Sequence, residues 1–281
     1  MNLQPLPDLL IEPVVRAALA EDLGRAGDVT AALLDPEARM TAVFAARKPG
    51  RVAGLACARL AVLALDPCAR VSVEVGDGEH ASPGGVIAWV EANARALLSA
   101  ERTALNLLGR LSGVATLTAA FVAAVEGTGA VIVDTRKTTP GLRALEKYAV
   151  RCGGGTNHRF GLDDAILIKD NHVAACGGVT AALTRARASA GWLTPIEVEV
   201  DGLDQLDEAL PFAPAVILLD NFSLPDLREA VARTAGRVRL EASGGVDLQT
   251  VRAIAETGVN GVSVGALTHS APVLDIGLDA A

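Results

Sequence analysis

The chain has 281 residues, of which 51% are hydrophobic and 21% charged, so it can bury one large core or two small ones, which excludes a disordered or low-complexity protein. Its 25 basic and 33 acidic residues give a net charge of −8, which argues against a general nucleic-acid or anionic-membrane surface and requires a local basic pocket for any anionic ligand. The four cysteines form no CxxC pair, and no basic leader or membrane-length apolar run is visible, so we expect reduced thiols and a cytoplasmic location.

The N-terminal part of the sequence is predicted to form an α+β unit. Apolar residues at helical spacing predict a helix over residues 8–24, with Asp8 as its N-terminal cap. Short strand-like runs separated by proline and glycine turns follow, together with one helical stretch. The strand-like runs are at 41–47, 69–78 and 84–92, and the helical stretch is at 57–65.

A bridging segment and a series of apolar runs come next. Leucines recur at threes and fours over residues 94–125, which predicts one or two helices and places a domain boundary inside this segment. Each later apolar run ends in polar or glycine residues and is followed by a helical pattern. The runs are at 130–134, 166–170, 196–200, 216–220, 238–243 and 261–265.

The spacing of these runs predicts a parallel β/α architecture. The last four runs are about 20 to 23 residues apart, which suits a strand, a short helix and two loops. A Rossmann sheet requires a glycine fingerprint, and neither GxGxxG nor GxxxxGK[ST] occurs in the sequence. We therefore predict a β/α barrel of six strands.

Polar residues stand at the carboxyl ends of nearly all these strands, where β/α barrels place their active sites. Alternation along the run at 196–200 puts Glu197 and Glu199 on one face, which we expect to point into the barrel. The structural alternative is a layer of buried ion pairs with Lys169 and Arg239. The strand-end residues are Asp134, Arg136, Lys137, Lys169, Asp170, Glu199, Asp201, Asp220, Asn221, Glu241, Ser243 and Gly265.

Glycine turns and basic residues at the same ends indicate an anionic ligand. The turns Ser243-Gly244-Gly245 and Gly265-Ala266 follow the last two strands, where barrels commonly hold a phosphate; simple closure of a tight turn is the alternative. Arginine and lysine recognise carboxylates and phosphates, which favours a small polyanion. No nucleophile motif is present, and His80 and His172 are interpreted as loop residues. The basic residues are Arg136, Lys137, His158, Arg159 and Lys169.

Taken in order, the motifs of this sequence resemble those of the quinolinate phosphoribosyltransferases, the decarboxylating enzymes of NAD biosynthesis. The resemblance covers essentially the whole chain. It is carried by AEDLG with GDVT (20–30), ERTALNLLGRLSGVAT (101–116), DTRKTTPGLRALEKYAV (134–150), GGGTNHRFGLDDAILIKDNH (153–172), EVEVD (197–201), LLDN (218–221), EASGGV (241–246) and VSVGALTHS (262–270).

The resemblance implies an α/β fold of the type II phosphoribosyltransferase kind, with an N-terminal α/β sandwich and an open, TIM-like β/α barrel of six strands. The implied domains are 1–105, to which residues 271–281 return, and 106–270. The implied reaction converts quinolinate and 5-phosphoribosyl 1-pyrophosphate into nicotinate mononucleotide, pyrophosphate and carbon dioxide, with Mg²⁺ as cofactor. A homodimer with a shared active site is implied as well, a hexamer is left open, and neither nucleic acid nor a membrane is expected as a partner.

The resemblance also implies roles for individual residues. The quinolinate-binding residues are Arg102, supplied by the neighbouring subunit, and Arg136, His158, Arg159 and Lys169. The catalytic residues are Lys137, near the pyrophosphate and ribose, and Glu199 and Asp220, near the ribose hydroxyls and the magnesium-bound diphosphate. The residues that bind the 5-phosphate are Ser243, Gly244, Gly245 and Gly265. Thr156 and His269 lie within the motifs without an assigned role.

Two alternative functions are considered. One is a molybdenum-transport-associated paralogue that acts on another base, and the full set of carboxylate-binding cations argues against it. The other is a noncatalytic phosphate-binding subunit, which predicts replacement of Lys137, Glu199 or Asp220, and all three are present.

Overall fold

The computed structural model describes residues 3–281, and the bounds of its elements follow the chain. The helices are α1 (Asp8–Leu23), α2 (Leu55–Leu65), α3 (Ala94–Ala124), α4 (Arg143–Cys152), α5 (Asp170–Cys176), α6 (Val179–Ser189), α7 (Leu203–Ala209), α8 (Leu224–Thr234), α9 (Val251–Ala255) and α10 (Ala266–His269). The strands are β1 (Arg39–Ala46), β2 (Gly50–Arg51), β3 (Arg70–Val73), β4 (His80–Ala81), β5 (Val86–Asn93), β6 (Val131–Val133), β7 (Ile166–Ile168), β8 (Ile196–Val200), β9 (Val216–Asp220), β10 (Arg239–Ser243), β11 (Gly261–Ser263) and β12 (Ile276–Ala280).

The chain forms two compact units. The first comprises the residues up to 119 together with 138–154 and 267–281, and the second comprises 120–137 and 155–266. The domain limits expected from the sequence, 1–105 and 106–270, remain a prediction.

The first unit contains a four-stranded antiparallel sheet in the order β12-β1-β5-β3. Its C-terminal strand pairs with β1, and an ion pair of 2.5 Å between Arg47 and Asp279 lies beside that ladder. Two glycines of α3 let the segment before β12 approach the helix closely. A Cβ on Gly113 would collide with the carbonyl oxygen of Pro272, and the Gly109 carbonyl accepts a hydrogen bond of 3.0 Å from the Leu274 N–H.

One local expectation in the first unit needs correction. Asp8 does not cap α1: Pro7 occupies the cap position, and the Asp8 carboxylate in the first turn accepts a hydrogen bond of 2.7 Å from Arg59. The segment predicted to form one or two helices is the single helix α3, which confirms that expectation. By length and hydropathy α3 could cross a membrane, but more than half of its apolar window is buried inside the protein, as in the core helix of a soluble protein.

The second unit is built on a six-stranded sheet in the order β6-β11-β10-β9-β8-β7, and every strand pair in it is parallel. The sheet is open because β6 and β7 do not pair with each other. Beside β6, Thr156 forms a parallel bridge with Val133, and its N–H donates to the Ile132 carbonyl at 2.8 Å. All six apolar runs therefore form the predicted parallel strands, and the open six-stranded β/α architecture is confirmed.

Candidate active site

A cavity of about 420 Å³ lies at the carboxyl ends of the parallel strands, and we refer to it as the front cavity. It is lined by Thr135, Arg136, Lys137, His158, Arg159, Leu167, Lys169, Glu199, Leu218, Asp220, Glu241, Ser243 and Ser263. Most of the polar lining residues come from the ends of strands, because parallel strands bring their carboxyl ends to the same edge of the sheet.

A second cavity of about 370 Å³, the rear cavity, reaches the amino ends of β8 and β9. It is lined by Val133, Asn157, His158, Arg159, Asp164, Ala165, Pro195, Ile196, Glu197, Ala215, Val216 and Glu241. His158, Arg159 and Glu241 line both cavities. These side chains therefore lie in the wall between the two spaces.

The buried carboxylate of Asp134 fixes the loop that carries His158. Asp134 directly follows β6 and is fully buried, and its two oxygens accept hydrogen bonds from the His158 N–H at 2.8 Å and the Asn157 side-chain amide at 2.6 Å. A buried carboxylate with both oxygens bonded holds its partners firmly. The loop after Gly155 is thereby tied to the end of the first barrel strand.

Arg159 is a partly buried cation whose charge is disfavoured by its surroundings. One of its terminal nitrogens donates to the Ala165 carbonyl at 3.0 Å, while its buried Nε makes no hydrogen bond with any described residue. Burial lowers the pKa of this guanidinium, and the positive charge of Arg136 lowers it further, against the opposing charges of Glu197 and Asp164. Two arginines held this close favour an anion between them.

Lys169 and Glu199 form an ion pair in the front cavity. The distance from Lys169 Nζ to Glu199 Oε2 is 2.8 Å, the lysine side chain is 47% exposed, and the glutamate side chain is 10% exposed. Lys169 follows β7 and directly precedes α5, where its N–H donates to His172 Nδ1 at 3.0 Å. His172 is therefore a helix residue that accepts a hydrogen bond from Lys169, and His80 lies in strand β4, so the interpretation of both as loop residues is wrong.

Glu197 and Glu199 both face the barrel interior, as the alternation predicts, while Val198 and Val200 are fully buried on the other face. The ion-pair alternative is realised in part, since Lys169 pairs with Glu199, whereas Arg239 is exposed.

Glu197 belongs to a buried cluster with His158 and Glu241. His158 Nε2 lies 2.8 Å from Glu197 Oε2 and 3.8 Å from Glu241 Oε2. The other ring nitrogen of His158, Nδ1, accepts a hydrogen bond of 2.8 Å from the Arg159 N–H. Burial raises the pKa of Glu241 to about 7, and the negative charge of Glu197 adds to the shift.

A glycine turn follows β10 at the edge of the front cavity. Gly244 and Gly245 have φ values of +104° and +58°, so both adopt a conformation that glycine tolerates best. A Cβ on Gly244 would collide with the side-chain oxygen of Asn221, whereas a Cβ on Gly245 would meet open space. Asn221 itself has φ +55°, and its side-chain amide donates to Asp220 at 2.7 Å. The turn therefore packs closely against Asn221, which in turn is hydrogen-bonded to Asp220 at the end of β9.

The structure brings together most of the residues that the sequence singled out. The predicted residues that line the front cavity are Arg136, Lys137, His158, Arg159, Lys169, Glu199, Asp220 and Ser243. Gly244 and Gly245 directly follow Ser243, and Gly265 lies two residues after β11. Arg102 belongs to the first unit, on an exposed part of α3, and its guanidinium lies 3.9 Å from Glu101. Thr156 forms the parallel bridge beside β6, and the ring of His269 is hydrogen-bonded through Nδ1 to the Ser270 hydroxyl group, at 2.6 Å.

Sequence reasoning assigned no role to Glu241. It stands near the end of a predicted strand, but nothing in the local sequence links it to His158 or Glu197. The available signal was that Glu241 is a charged residue at an inward position of β10, between the buried residues Leu240 and Ala242.

The fold and the cavity together define a β/α-barrel protein whose front cavity is lined by several basic residues at the carboxyl ends of the strands. Comparison with known proteins agrees: residues 28–112 match the family of the quinolinate phosphoribosyl transferase N-terminal domain, and residues 114–279 match the C-terminal domain. The chain belongs to this family.

Close relatives cover nearly the whole chain. It is 51% identical to the nicotinate-nucleotide pyrophosphorylase [carboxylating] of Mycobacterium leprae, over 94% of this chain and 95% of the relative. It is 44% identical to a probable enzyme of the same name from Bacillus subtilis, over 96% and 93%. Among solved structures, the nicotinate-nucleotide pyrophosphorylase of Francisella tularensis is similar, with a TM-score of 0.95, 38% identity, and coverage of 100% and 99%.

Proposed function

We propose that this protein is a decarboxylating quinolinate phosphoribosyltransferase, a pentosyltransferase of NAD biosynthesis. It transfers the phosphoribosyl group of 5-phosphoribosyl 1-pyrophosphate to the ring nitrogen of quinolinate and releases pyrophosphate, carbon dioxide and nicotinate mononucleotide. One observation carries the proposal beyond the family resemblance. A single cavity places Arg136 and Arg159 side by side, where their charges repel, and lines the same space with the acidic residues Glu199 and Asp220.

The paired arginines are suited to a substrate with two carboxylates. A guanidinium presents a planar set of donors that matches a carboxylate, and a dianion relieves the repulsion between the two cations. Lys169 contributes a third cation once a substrate carboxylate competes with Glu199 for its ammonium group. His158 lines the same space and adds a polar group to the part of the wall that the front cavity shares with the rear cavity.

The acidic residues act on the sugar. Departure of pyrophosphate leaves positive charge on the ribose ring, and the carboxylates of Glu199 and Asp220 stabilise that charge from fixed positions. Lys137 lines the same cavity and balances the charge that develops on the leaving diphosphate. No covalent enzyme intermediate is needed, which agrees with the absence of a nucleophile motif from the sequence.

The turn after β10 is proposed to bind the 5-phosphate. Ser243 lines the front cavity, and the following glycines permit the backbone to approach a phosphate closely. Gly265, after the last barrel strand, completes the proposed phosphate site, as is usual in β/α barrels.

The donor set fits Mg²⁺. Glu199 and Asp220 bring carboxylate oxygens from neighbouring strands to one cavity, and oxygen is the ligand that this ion prefers. Because Lys169 already neutralises Glu199, the site suits an ion held through the diphosphate and water. When bound, magnesium neutralises the charge of the departing diphosphate.

Three further parts of the proposal concern the assembly, the location and the competing functions. A homodimer supplies Arg102 to the neighbouring subunit's site, which accounts for an exposed arginine on α3. The protein acts in the cytoplasm with reduced thiols. Neither the molybdenum-associated paralogue nor the noncatalytic subunit is favoured by any observation, since the relatives are named as pyrophosphorylases and every predicted catalytic residue is retained.

The test is a comparison of two bases. Purified protein with Mg²⁺ and 5-phosphoribosyl 1-pyrophosphate is given quinolinate or nicotinate, and nicotinate mononucleotide is measured by chromatography. We expect product from quinolinate, and at least about 100-fold lower kcat/KM with nicotinate because one carboxylate contact is lost. Equal use of both bases, or product from neither, would contradict the proposal.

A further inference from the structure

Decarboxylation creates a requirement that the residues discussed so far do not meet. If the proposed function is correct, on which this inference rests, the ring carbon that loses carbon dioxide keeps the bonding electron pair and must take up a proton. A group that lines the front cavity and carries a transferable proton at neutral pH is therefore needed. The basic and acidic residues assigned above bind charge and do not supply this proton.

The buried cluster of His158, Glu197 and Glu241 holds such a proton. The ligand atoms of these three side chains lie within 4.8 Å of one another, and both glutamates are nine-tenths buried. The Oε1 atoms of Glu197 and Glu241 are buried and make no hydrogen bond with any described residue. Two ionised carboxylates at this distance in a buried place repel strongly, so the pair retains a proton.

The hydrogen bonds locate that proton on Glu241. A backbone N–H donates to His158 Nδ1, so this imidazole is neutral and carries its hydrogen on Nε2, which faces Glu197 at 2.8 Å. Glu197 is thus the carboxylate that accepts the hydrogen bond from the imidazole, while Glu241 lies a full ångström further from it, at 3.8 Å.

The charges around Glu241 favour its neutral form. The groups that face Glu241 are Glu197 on β8, Asp134 at the end of β6, the imidazole of His158 and the hydroxyl group of Ser263 on β11. Two of these groups are carboxyls, and none is a permanent cation. Burial raises the pKa of Glu241, and the charges of Glu197 and Asp134 raise it further, against the opposing effects of His158 and of the Ser263 hydroxyl group.

Glu241 lies between the two cavities, so it can donate a proton to a substrate in the front cavity and receive one from the rear cavity. Glu241 lines the front cavity, where the substrate is proposed to bind, and also the rear cavity, which reaches the amino ends of β8 and β9. Substrates that fill the front cavity therefore leave the second face of Glu241 accessible to water.

We propose that Glu241 is the acid that protonates the ring carbon after carbon dioxide leaves, and that water in the rear cavity restores its proton. The carbon–carboxylate bond breaks, carbon dioxide departs, and the electron pair stays on the carbon next to the cationic ring nitrogen. That pair takes the hydrogen of the Glu241 carboxyl group, which becomes a carboxylate. Glu241 then takes a proton from solvent before the next turnover.

Other groups in the front cavity are less suited to this step. Arg136 and Arg159 hold their protons too tightly to serve as acids at neutral pH. Lys169 is committed to Glu199 at 2.8 Å, and a proton taken from it would leave that carboxylate without its counter-charge. Donation by Lys169 or by Lys137 is nevertheless a defined outcome of the experiment below.

The experiment separates the two chemical steps in a single turnover. Enzyme in excess is mixed with quinolinate, 5-phosphoribosyl 1-pyrophosphate and Mg²⁺, and pyrophosphate and nicotinate mononucleotide are followed by rapid quench. In the wild type both appear together or in close sequence. In Glu241→Gln we expect pyrophosphate to form within about threefold of the wild-type rate, while nicotinate mononucleotide forms at least about 100-fold more slowly. Glu241→Asp, which keeps an acid, should recover part of the second rate.

Three results would overturn the assignment. The second rate could be unchanged in Glu241→Gln, in which case another acid such as a lysine donates the proton. Both rates could fall by the same factor, which would make Glu241 a residue for binding or positioning. Failure of the wild type to release pyrophosphate from quinolinate would instead overturn the proposed function, and this inference with it, so the two failures are distinguishable.

The pH dependence of the wild type provides the test should Glu241→Gln fail to fold. The rate of the second step should fall as pH rises through neutrality, while pyrophosphate formation should not follow the same curve. In Glu197→Gln the removal of a neighbouring negative charge lowers the pKa of Glu241, so the curve should move to lower pH. A second step without pH dependence between pH 6 and 9, or a curve that moves to higher pH in Glu197→Gln, would overturn the assignment.

Discussion

Lys169 Nζ lies 2.8 Å from Glu199 Oε2, so a cation that is proposed to bind the base is neutralised by an anion that is proposed to act on the sugar. The two side chains extend from neighbouring strands β7 and β8 into the front cavity. In the proposed function, a dianionic base that binds Lys169 is expected to release the Glu199 carboxylate toward the ribose. Occupation of one half of the site therefore prepares the other half.

This relationship predicts opposite effects of Glu199→Gln on binding and on turnover. Without the carboxylate, Lys169 is available to quinolinate, and because partly exposed ion pairs contribute about 0 to 1 kcal/mol, the Kd for quinolinate alone should fall by up to about fivefold. Turnover should fall by at least about 100-fold, since charge stabilisation at the ribose is lost. Titration calorimetry without the second substrate measures the Kd. Lys169→Met is the matched variant and should weaken quinolinate binding; weaker binding in Glu199→Gln would contradict the account.

Arg159 should be more important for binding than for stability. It is a partly buried cation beside Arg136, so Arg159→Met removes repulsion and desolvation, and the melting temperature should stay level or rise. The Kd for quinolinate should rise at least about 30-fold, because a charge-assisted contact worth about 2 kcal/mol or more is lost. Arg228, exposed on α8, provides the control substitution Arg228→Met, which should leave the Kd unchanged. A destabilised Arg159→Met protein that still binds quinolinate normally would refute this role.

The two glycines after β10 should differ in their sensitivity to alanine. Gly244→Ala combines a positive φ with a collision against the Asn221 side chain, and Gly245→Ala has only the positive φ, at a cost of about 1 to 2 kcal/mol. Affinity for 5-phosphoribosyl 1-pyrophosphate should therefore fall further in Gly244→Ala than in Gly245→Ala, by about tenfold or more. Quinolinate affinity should be little changed in both. Equal losses in the two variants would argue against a fitted phosphate turn.

Glu241 should make the stability of the protein depend on pH in a defined direction. Its pKa rises from 4.5 to about 7 on folding, so between these values the folded state binds more protons than the unfolded state, and stability falls as pH rises. Glu241→Gln abolishes this dependence. We expect the variant to gain at most about 3 kcal/mol over the wild type at pH 8, from about 1.4 kcal/mol per pKa unit, and nothing at pH 4. Denaturant unfolding of both proteins at pH 4 and pH 8 measures the difference in free energy of unfolding. The prediction is contradicted if the stability of Glu241→Gln relative to wild type is lower at pH 8 than at pH 4.

The cysteines should divide into two classes. Burial, and after it the charge of Asp77, raises the pKa values of Cys57 and Cys152 to about 12, so these thiols stay protonated and unreactive. Cys68 is exposed and Cys176 is partly exposed. A thiol reagent should label Cys68 and Cys176 in the native protein, and Cys57 and Cys152 only after unfolding. Fast labelling of the latter pair in the folded protein would show that its burial is incomplete.

The sequence was sufficient to predict the barrel because its apolar runs are short, bounded by glycine and polar residues, and regularly spaced. The alternation of Glu197 and Glu199 even indicated which face of β8 points inward. Local patterns carry this information because strand side chains alternate and parallel strands share an edge. The same logic predicts that Arg136, Lys169 and Asp220 meet at one end of the barrel, and all three line the front cavity.

What the sequence could not supply was pairwise contact. The cluster of His158, Glu197 and Glu241 joins a loop with β8 and β10, and its distances depend on the strand order. The fit of Gly244 against Asn221 depends likewise on the register of β9 and β10. The predicted cap of helix α1 was also wrong. Asp8 is a residue type that often caps helices, but its carboxylate accepts a hydrogen bond from Arg59, a contact that local sequence cannot predict.

The most direct test of the central claim is the fate of one carbon atom. Quinolinate labelled with ¹³C in the carboxylate next to the ring nitrogen is incubated with the protein, 5-phosphoribosyl 1-pyrophosphate and Mg²⁺, and labelled carbon dioxide and pyrophosphate are quantified together. The account predicts one labelled carbon dioxide for each pyrophosphate, and none when either the second substrate or the metal is omitted. Pyrophosphate released with the label retained in a mononucleotide, or carbon dioxide released from quinolinate alone, would contradict it.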